Sequence, residues 1–168
     1  MTSSKLRRVS RVSAPPEDYE QRLVIAYRDR LMPVDPDMKY LVHVPNGGKR
    51  DLVSAQLLKA AGVSPGWPDL QLALVVPGFH GLAIEMKRRE GGRLTVDQYD
   101  TLAWLAGNNW LACVCLGADD AIALLDTYRG IRDGKVHREG EFGRVYRFER
   151  GSLRAIERPK KRNKSRGL

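Results

Sequence analysis

Apolar positions along this chain fall into short runs of two different periods. Between Glu17 and Leu31 the residues Leu23, Val24, Tyr27 and Leu31 recur at helical spacing, with Pro15-Pro16 in front and Pro33 behind, which predicts a first helix. Tyr40 to Val44 predicts a short strand, and Leu52 to Ala61 a second helix closed by Gly62. The runs Leu70 to Val76 and Gly81 to Met86 flank Pro77-Gly78 and predict a hairpin. After Gly91-Gly92, Thr95-Val96-Asp97-Gln98 opens a third helix that carries Leu102, Leu105 and Ala106 and ends at Gly107. Trp110 to Leu116 then predicts a strand and Asp119 to Tyr128 a fourth helix, and the alternation Val145-Tyr146-Arg147-Phe148 suggests one more strand or hairpin. The order helix, strand, helix, hairpin, helix, strand, helix is that of an α/β fold, a mixed sheet flanked by helices.

Three acids and a lysine interrupt this pattern where apolar residues are expected. In Ile84-Glu85-Met86-Lys87, Glu85 and Lys87 share one face of the strand while Ile84 and Met86 share the other. Gly66-Trp67-Pro68-Asp69 delivers a second carboxylate at the mouth of the run Leu70 to Val76. In the first helix, Glu20 projects into the middle of the Leu23/Val24/Tyr27/Leu31 stripe, whereas Glu17 lies at its margin; an acid aimed at a core needs a partner, and a metal would supply one. Two carboxylates suit a hard cation such as Mg²⁺, with Mn²⁺ as an alternative, and a neighbouring lysine is a compact donor that can balance phosphate charge or position water. That is the minimum equipment for metal-assisted phosphodiester hydrolysis. The hairpin must cooperate. A turn centred on Phe79 would let Asp69 overshoot Glu85 by roughly 10 Å at about 3.3 Å per residue, so the turn has to centre near Pro77, or a bulge must shorten one strand.

Charge narrows the partner. A formal net charge of +9 over 168 residues attracts polyanions, and the cations gather in Lys5-Leu6-Arg7-Arg8, in Lys87-Arg88-Arg89 and from Arg158 to Arg166. Nucleic acid fits these clusters. The turn Pro45-Asn46-Gly47-Gly48-Lys49-Arg50 reads as a DNA-facing loop, since it lacks the spacing of a nucleotide-binding phosphate loop. No stretch approaches the roughly 20 apolar residues of a membrane span, and no secretory apolar region follows the basic start, which argues against a membrane role. The two cysteines, Cys113 and Cys115, lie in an apolar strand and read as buried thiols of a reducing cytoplasm; without a second Cys or His pair, zinc is set aside. The predicted organisation is a basic arm over 1–14, one domain over 15–130, a β extension over 131–157 and a basic tail over 158–168.

From Glu17 to about Tyr128 the residues resemble the VRR-NUC domain of the PD-(D/E)xK nuclease superfamily, in its compact stand-alone, phage-type form. The resemblance rests on Glu17 with Gln21, Val44-Pro45-Asn46-Gly47-Gly48-Lys49-Arg50, Gly62-Val63 with Gly66-Trp67-Pro68-Asp69-Leu70, Ile84-Glu85-Met86-Lys87, and Gly91-Gly92-Arg93-Leu94-Thr95 leading to Gln98. It implies a restriction-endonuclease-like fold, divalent-metal-dependent DNA cleavage, metal ligands at Asp69 and Glu85, and Lys87 as catalytic lysine. The family pattern puts the helix-one glutamate at Glu17, whereas helical phase prefers Glu20, so both stand as candidates. Gln98 matches the family's glutamine after the lysine strand and would contact the metal-bound water or nearby backbone. Stand-alone members look like dimeric nucleases for branched DNA such as four-way junctions, which implies a homodimer here.

Plainer roles compete with these. Glu85 and Lys87 could form an ordinary ion pair, Asp69 could cap a turn after Pro68, and Gln98 could be a helix-start polar residue. Trp67, Trp104 and Trp110 read as core or rim aromatics rather than base-stacking platforms. Three function classes follow: a structure-selective DNA endonuclease, a nuclease acting on ordinary duplex or DNA ends, and a non-catalytic nucleic-acid-binding module.

Overall fold

The computed structural model describes residues 17–45, 52–90, 92–134 and 146–147. The loop carrying Asn46, Lys49 and Arg50, the N-terminal arm, the basic tail and most of 131–157 lie outside the described residues. Helix α1 (Glu17–Leu31) has the predicted bounds, followed by β1 (Leu41–His43), α2 (Leu52–Ala60), β2 (Leu70–Leu72), β3 (Gly81–Lys87), α3 (Val96–Gly107), β4 (Trp110–Leu116), α4 (Ala118–Arg132) and β5 (Tyr146–Arg147). One element escaped the pattern. A 3-10 turn over Pro36–Tyr40, started by its proline, takes Tyr40 out of the expected strand and buries Met38.

The strands form one sheet in the order β1-β2-β3-β4-β5. β1, β2 and β3 pair antiparallel, β3 and β4 run parallel, and β5 closes the far side antiparallel to β4. A parallel pair requires a crossover, and α3 is that crossover. The hairpin ladder pairs Leu70 with Ile84 and Leu72 with Leu82, while Val76 meets Phe79 across Pro77-Gly78. Three residues, 73–75, therefore face two, 80–81, so the first arm carries one extra residue, as in a bulge. The turn sits at Pro77, and the register one step beyond Leu70 and Ile84 sets Asp69 opposite Glu85.

Period two divides β3 between the layers. Leu82, Ile84 and Met86 join a core with Val24 of α1 and Leu124, Leu125 and Tyr128 of α4, which also takes in the buried Cys113 and Cys115. Ala83 faces the other way, into a smaller core with Tyr99, Leu102, Leu105 and Ala106 of α3. Glu85 and Lys87 follow Ala83 by alternation, so the polar end of β3 lies under the start of α3. Among the described residues no helix is long and apolar enough to cross a membrane.

An ion cluster ties the end of α1 to the end of α4. The buried Asp35 carboxylate accepts from Arg129 Nε at 2.6 Å and from Arg132 Nη1 and Nη2 at 2.8 and 3.0 Å. Hydrogen bonding by Arg132, then by Arg129, holds its carboxyl down to about 2. A depressed carboxyl stabilises the fold above its unfolded value and loses that contribution as pH falls. Asp35→Asn is therefore expected to cost about 2 kcal/mol at neutral pH, with the difference from the unchanged chain shrinking between about pH 4 and pH 2. Urea unfolding at pH 7 and pH 3 measures it, and a gap equal at both would contradict the assignment.

Candidate active site

Strand β3 places its two charges in a nearly dry position: Glu85 is fully buried and Lys87 is 7% exposed. Lys87 Nζ donates to Glu85 Oε1 at 2.6 Å, and Gln98 Nε2 donates to the same oxygen. Asp69 reaches this point from the position just before β2. Its main-chain oxygen accepts from Val44 N at 2.9 Å, fixing it to the end of β1, while its Oδ2 accepts from Met86 N at 2.8 Å. The Asp69 carboxylate thus lies against the backbone immediately after Glu85. Asp69, Glu85, Lys87 and Gln98, named from the sequence, are brought together in space.

The first turn of α3 holds this group from above. Thr95 caps the helix by accepting from Gln98 N at 3.2 Å, and Gln98 Oε1 accepts in return from Thr95 N at 2.9 Å, a capping box. With its oxygen so engaged, the Gln98 amide must present nitrogen to Glu85. On the other flank Gly66 has φ +82° and touches the Asp97 backbone, where a Cβ would come within 2.4 Å of the Asp97 carbonyl carbon. Only glycine permits that conformation and that approach. The same helical turn therefore contacts both acid-bearing segments. Thr95 was not a site candidate, although its spacing to Gln98 carries the capping-box signature. Thr95→Ala is expected to cost about 1 kcal/mol, read as a lower urea midpoint, with Thr95→Ser restoring most of it; no change would mean the cap holds nothing.

The remaining candidates are placed differently. Glu20 is buried as its helical phase required, but the partner it meets is a backbone amide: Oε2 accepts from Ala118 N at 2.7 Å. Gly117 precedes α4 without a side-chain cap, so Glu20 serves the positive end of that helix from a distance in sequence. Among the described residues no three His, Cys, Asp or Glu side chains gather as a metal cluster. Glu17 is the first residue of α1, and its side chain lies outside the described residues. Arg88 is exposed, and Arg89 pairs at the surface with Asp119 at 2.6 Å. Exposed pairs of this kind contribute little to stability.

The donor set fits a hard divalent cation. Two carboxylates from adjacent strands supply oxygen only, and Mg²⁺ is commonly held by one or two carboxylates, with water and substrate phosphate completing its shell. Asp69 and Glu85 would hold it, and Lys87 adds a positive donor in the same place.

Comparison with known proteins supplies the context for this arrangement. No protein-family model matches the chain, and no curated protein matches it. Among solved structures it is similar to a VRR_NUC domain protein, with 26% sequence identity and a TM-score of 0.59 over 71% of this chain and 93% of that one. The α/β fold is consistent with that of a VRR_NUC domain. The likeness supports a nuclease domain in general, consistent with the restriction-endonuclease-like fold expected from the sequence.

Proposed function

We propose that the protein is a Mg²⁺-dependent endodeoxyribonuclease of the PD-(D/E)xK type, with Mn²⁺ as a substitute, that cleaves branched DNA in the manner of a stand-alone, phage-type VRR-NUC enzyme. One observation carries the reading: Asp69, bonded to Met86 N, stands opposite a buried Glu85 whose carboxylate is shared by Lys87 and Gln98. An acid pair built only for stability would gain little from burial beside a lysine, since such pairs roughly break even against apolar residues.

In the proposed reaction Asp69 and Glu85 would hold the cation, which when bound would supply Lewis-acid polarisation of the phosphodiester. Lys87 Nζ orients the attacking water and offsets charge building on the phosphoryl oxygens, and Gln98 keeps the Glu85 oxygen aimed. Water adds to phosphorus, the P–O bond to the leaving sugar breaks, and the departing oxygen takes up a proton. Of the two α1 glutamates, Glu17 is the better third carboxylate, because Glu20 is engaged at Ala118 N. Asn46, Lys49, Arg50, Arg88 and Arg89 would hold phosphates without reading sequence.

A single site makes one nick, so resolving a four-way junction takes two sites, which a two-fold homodimer provides through one repeated interface. The test is cleavage of a labelled four-way junction and its matching linear duplex, with and without Mg²⁺, together with sedimentation. Paired nicks on opposite junction strands by a species of about twice the chain mass are expected. A monomer cutting both DNAs equally would replace junction resolution with ordinary duplex cleavage, and binding without cleavage on any metal would end the nuclease reading.

A further inference from the structure

Most of the large apolar side chains of α3 are buried against the sheet, but Trp104 is 59% exposed on the outer face of that helix. Its indole lies against that of Trp67, with ring centroids 6.5 Å apart and planes tilted by 45°. Trp67 also lines a pocket of about 300 Å³ with Val44, Val63 and Ser64. These features lie on the same segments as the site residues. Trp67 stands two residues before Asp69, and Val44 N donates to the Asp69 main-chain oxygen. Trp104 follows Gln98 by six residues, roughly 9 Å of helix at 1.5 Å per residue.

From this geometry we infer that Trp67, Trp104 and the adjoining pocket form a subsite for an unpaired nucleobase of the DNA strand whose phosphate lies at Asp69 and Glu85. The inference rests on the reading of that acid pair as the phosphodiester site. Bases in a stack rise roughly 3.4 Å each, so a base two or three steps from the bound phosphate reaches the indole pair. Indole faces hold nucleobases of any sequence by stacking, and a paired base buried in a duplex cannot offer its face. The subsite would therefore favour DNA with unstacked bases near the cut, such as a branch point, over continuous duplex. It would supply selectivity for structure without base-edge contacts.

The experiment measures binding by the full-length protein in EDTA, so that no strand is cut. The DNAs are a duplex with a short unpaired bulge, carrying 2-aminopurine in the bulge, and a fully paired duplex of equal length. Trp104→Leu is expected to weaken bulged-DNA binding about 10-fold, to abolish the 2-aminopurine quenching, and to leave duplex affinity within about twofold. Trp104→Phe, which keeps a ring, should retain most of the preference. Equal losses on both DNAs, or none on either, would overturn the subsite, the second leaving Trp104 as a surface for a protein partner. A separate Mg²⁺ cleavage assay of the unchanged chain distinguishes the two failures. Trp104-dependent binding without cleavage would sink the nuclease reading and keep the subsite, whereas cleavage with Trp104-independent binding would sink the subsite alone.

Discussion

Asp69→Ala and Glu85→Ala are each expected to abolish Mg²⁺-dependent DNA cleavage while leaving DNA affinity unchanged or higher. The reasoning is electrostatic. Each carboxylate repels phosphate until a cation bridges them, so removing one deletes a ligand from the cleavage-competent state and a repulsion from the metal-free complex. The two substitutions differ in their structural cost. Glu85 is fully buried and accepts from Lys87, so its truncation strands a buried ammonium, a loss of about 3–5 kcal/mol. Glu85→Gln keeps the shape and an accepting oxygen, and it separates catalysis from folding: it should fold closer to the unchanged chain and still fail to cleave. Asp69→Ala removes the acceptor for Met86 N near the end of the ladder, where the amide is only partly buried. Chelation of the metal should reproduce both phenotypes. Robust cleavage by the Asp69 or Glu85 variant, with Mg²⁺ controlled, would refute the ligand assignment.

Local patterns made much of this arrangement legible in the sequence. The Leu23, Val24, Tyr27 and Leu31 stripe between prolines marked α1, the run Trp110 to Leu116 marked β4, and period two put Glu85 and Lys87 on one face. The requirement that two acids meet called for a turn near Pro77 or a bulge in one strand, and the hairpin has both. Hidden from the sequence were contacts decided by packing between distant segments. The helical phase of Glu20 announced a buried acid but could not name its partner, because Ala118 N lies 98 residues away and is exposed to Glu20 only once α1 and α4 dock. The hold of Met86 N on Asp69 is a main-chain bond that no residue type advertises. Thr95 was visible as a cap, yet its role in turning the Gln98 amide toward Glu85 follows only from two bonds made at opposite ends of one side chain. Trp104 read as an ordinary rim aromatic, and its contact with Trp67 depends on the loop before Asp69 folding back along α3 at Gly66.

Lys87→Met is expected to lower the cleavage rate by on the order of 10²-fold or more with near-unchanged substrate affinity. The ammonium is 7% exposed and 2.6 Å from Glu85 Oε1, so it is held at the acid that the proposed reaction uses. Charge in such a water-poor site acts mainly where new charge develops, so its loss falls on turnover more than on binding. Methionine keeps the stem and its packing, which limits the lesion to the missing charge. Lys87→Arg is the informative companion. A planar guanidinium is longer and spreads its charge over a fork, and Lys87 is buried, so Arg is expected not to place a compact charge at the same point and not to restore the rate, even though formal charge is retained. Single-turnover rates at saturating DNA, with affinity measured separately in EDTA, decide between two roles. A fall in rate at constant affinity assigns Lys87 to the transition state, whereas weakened affinity with normal turnover would reduce it to a phosphate contact, and full activity in Lys87→Arg would show that charge alone, without its compact placement, is what the site requires.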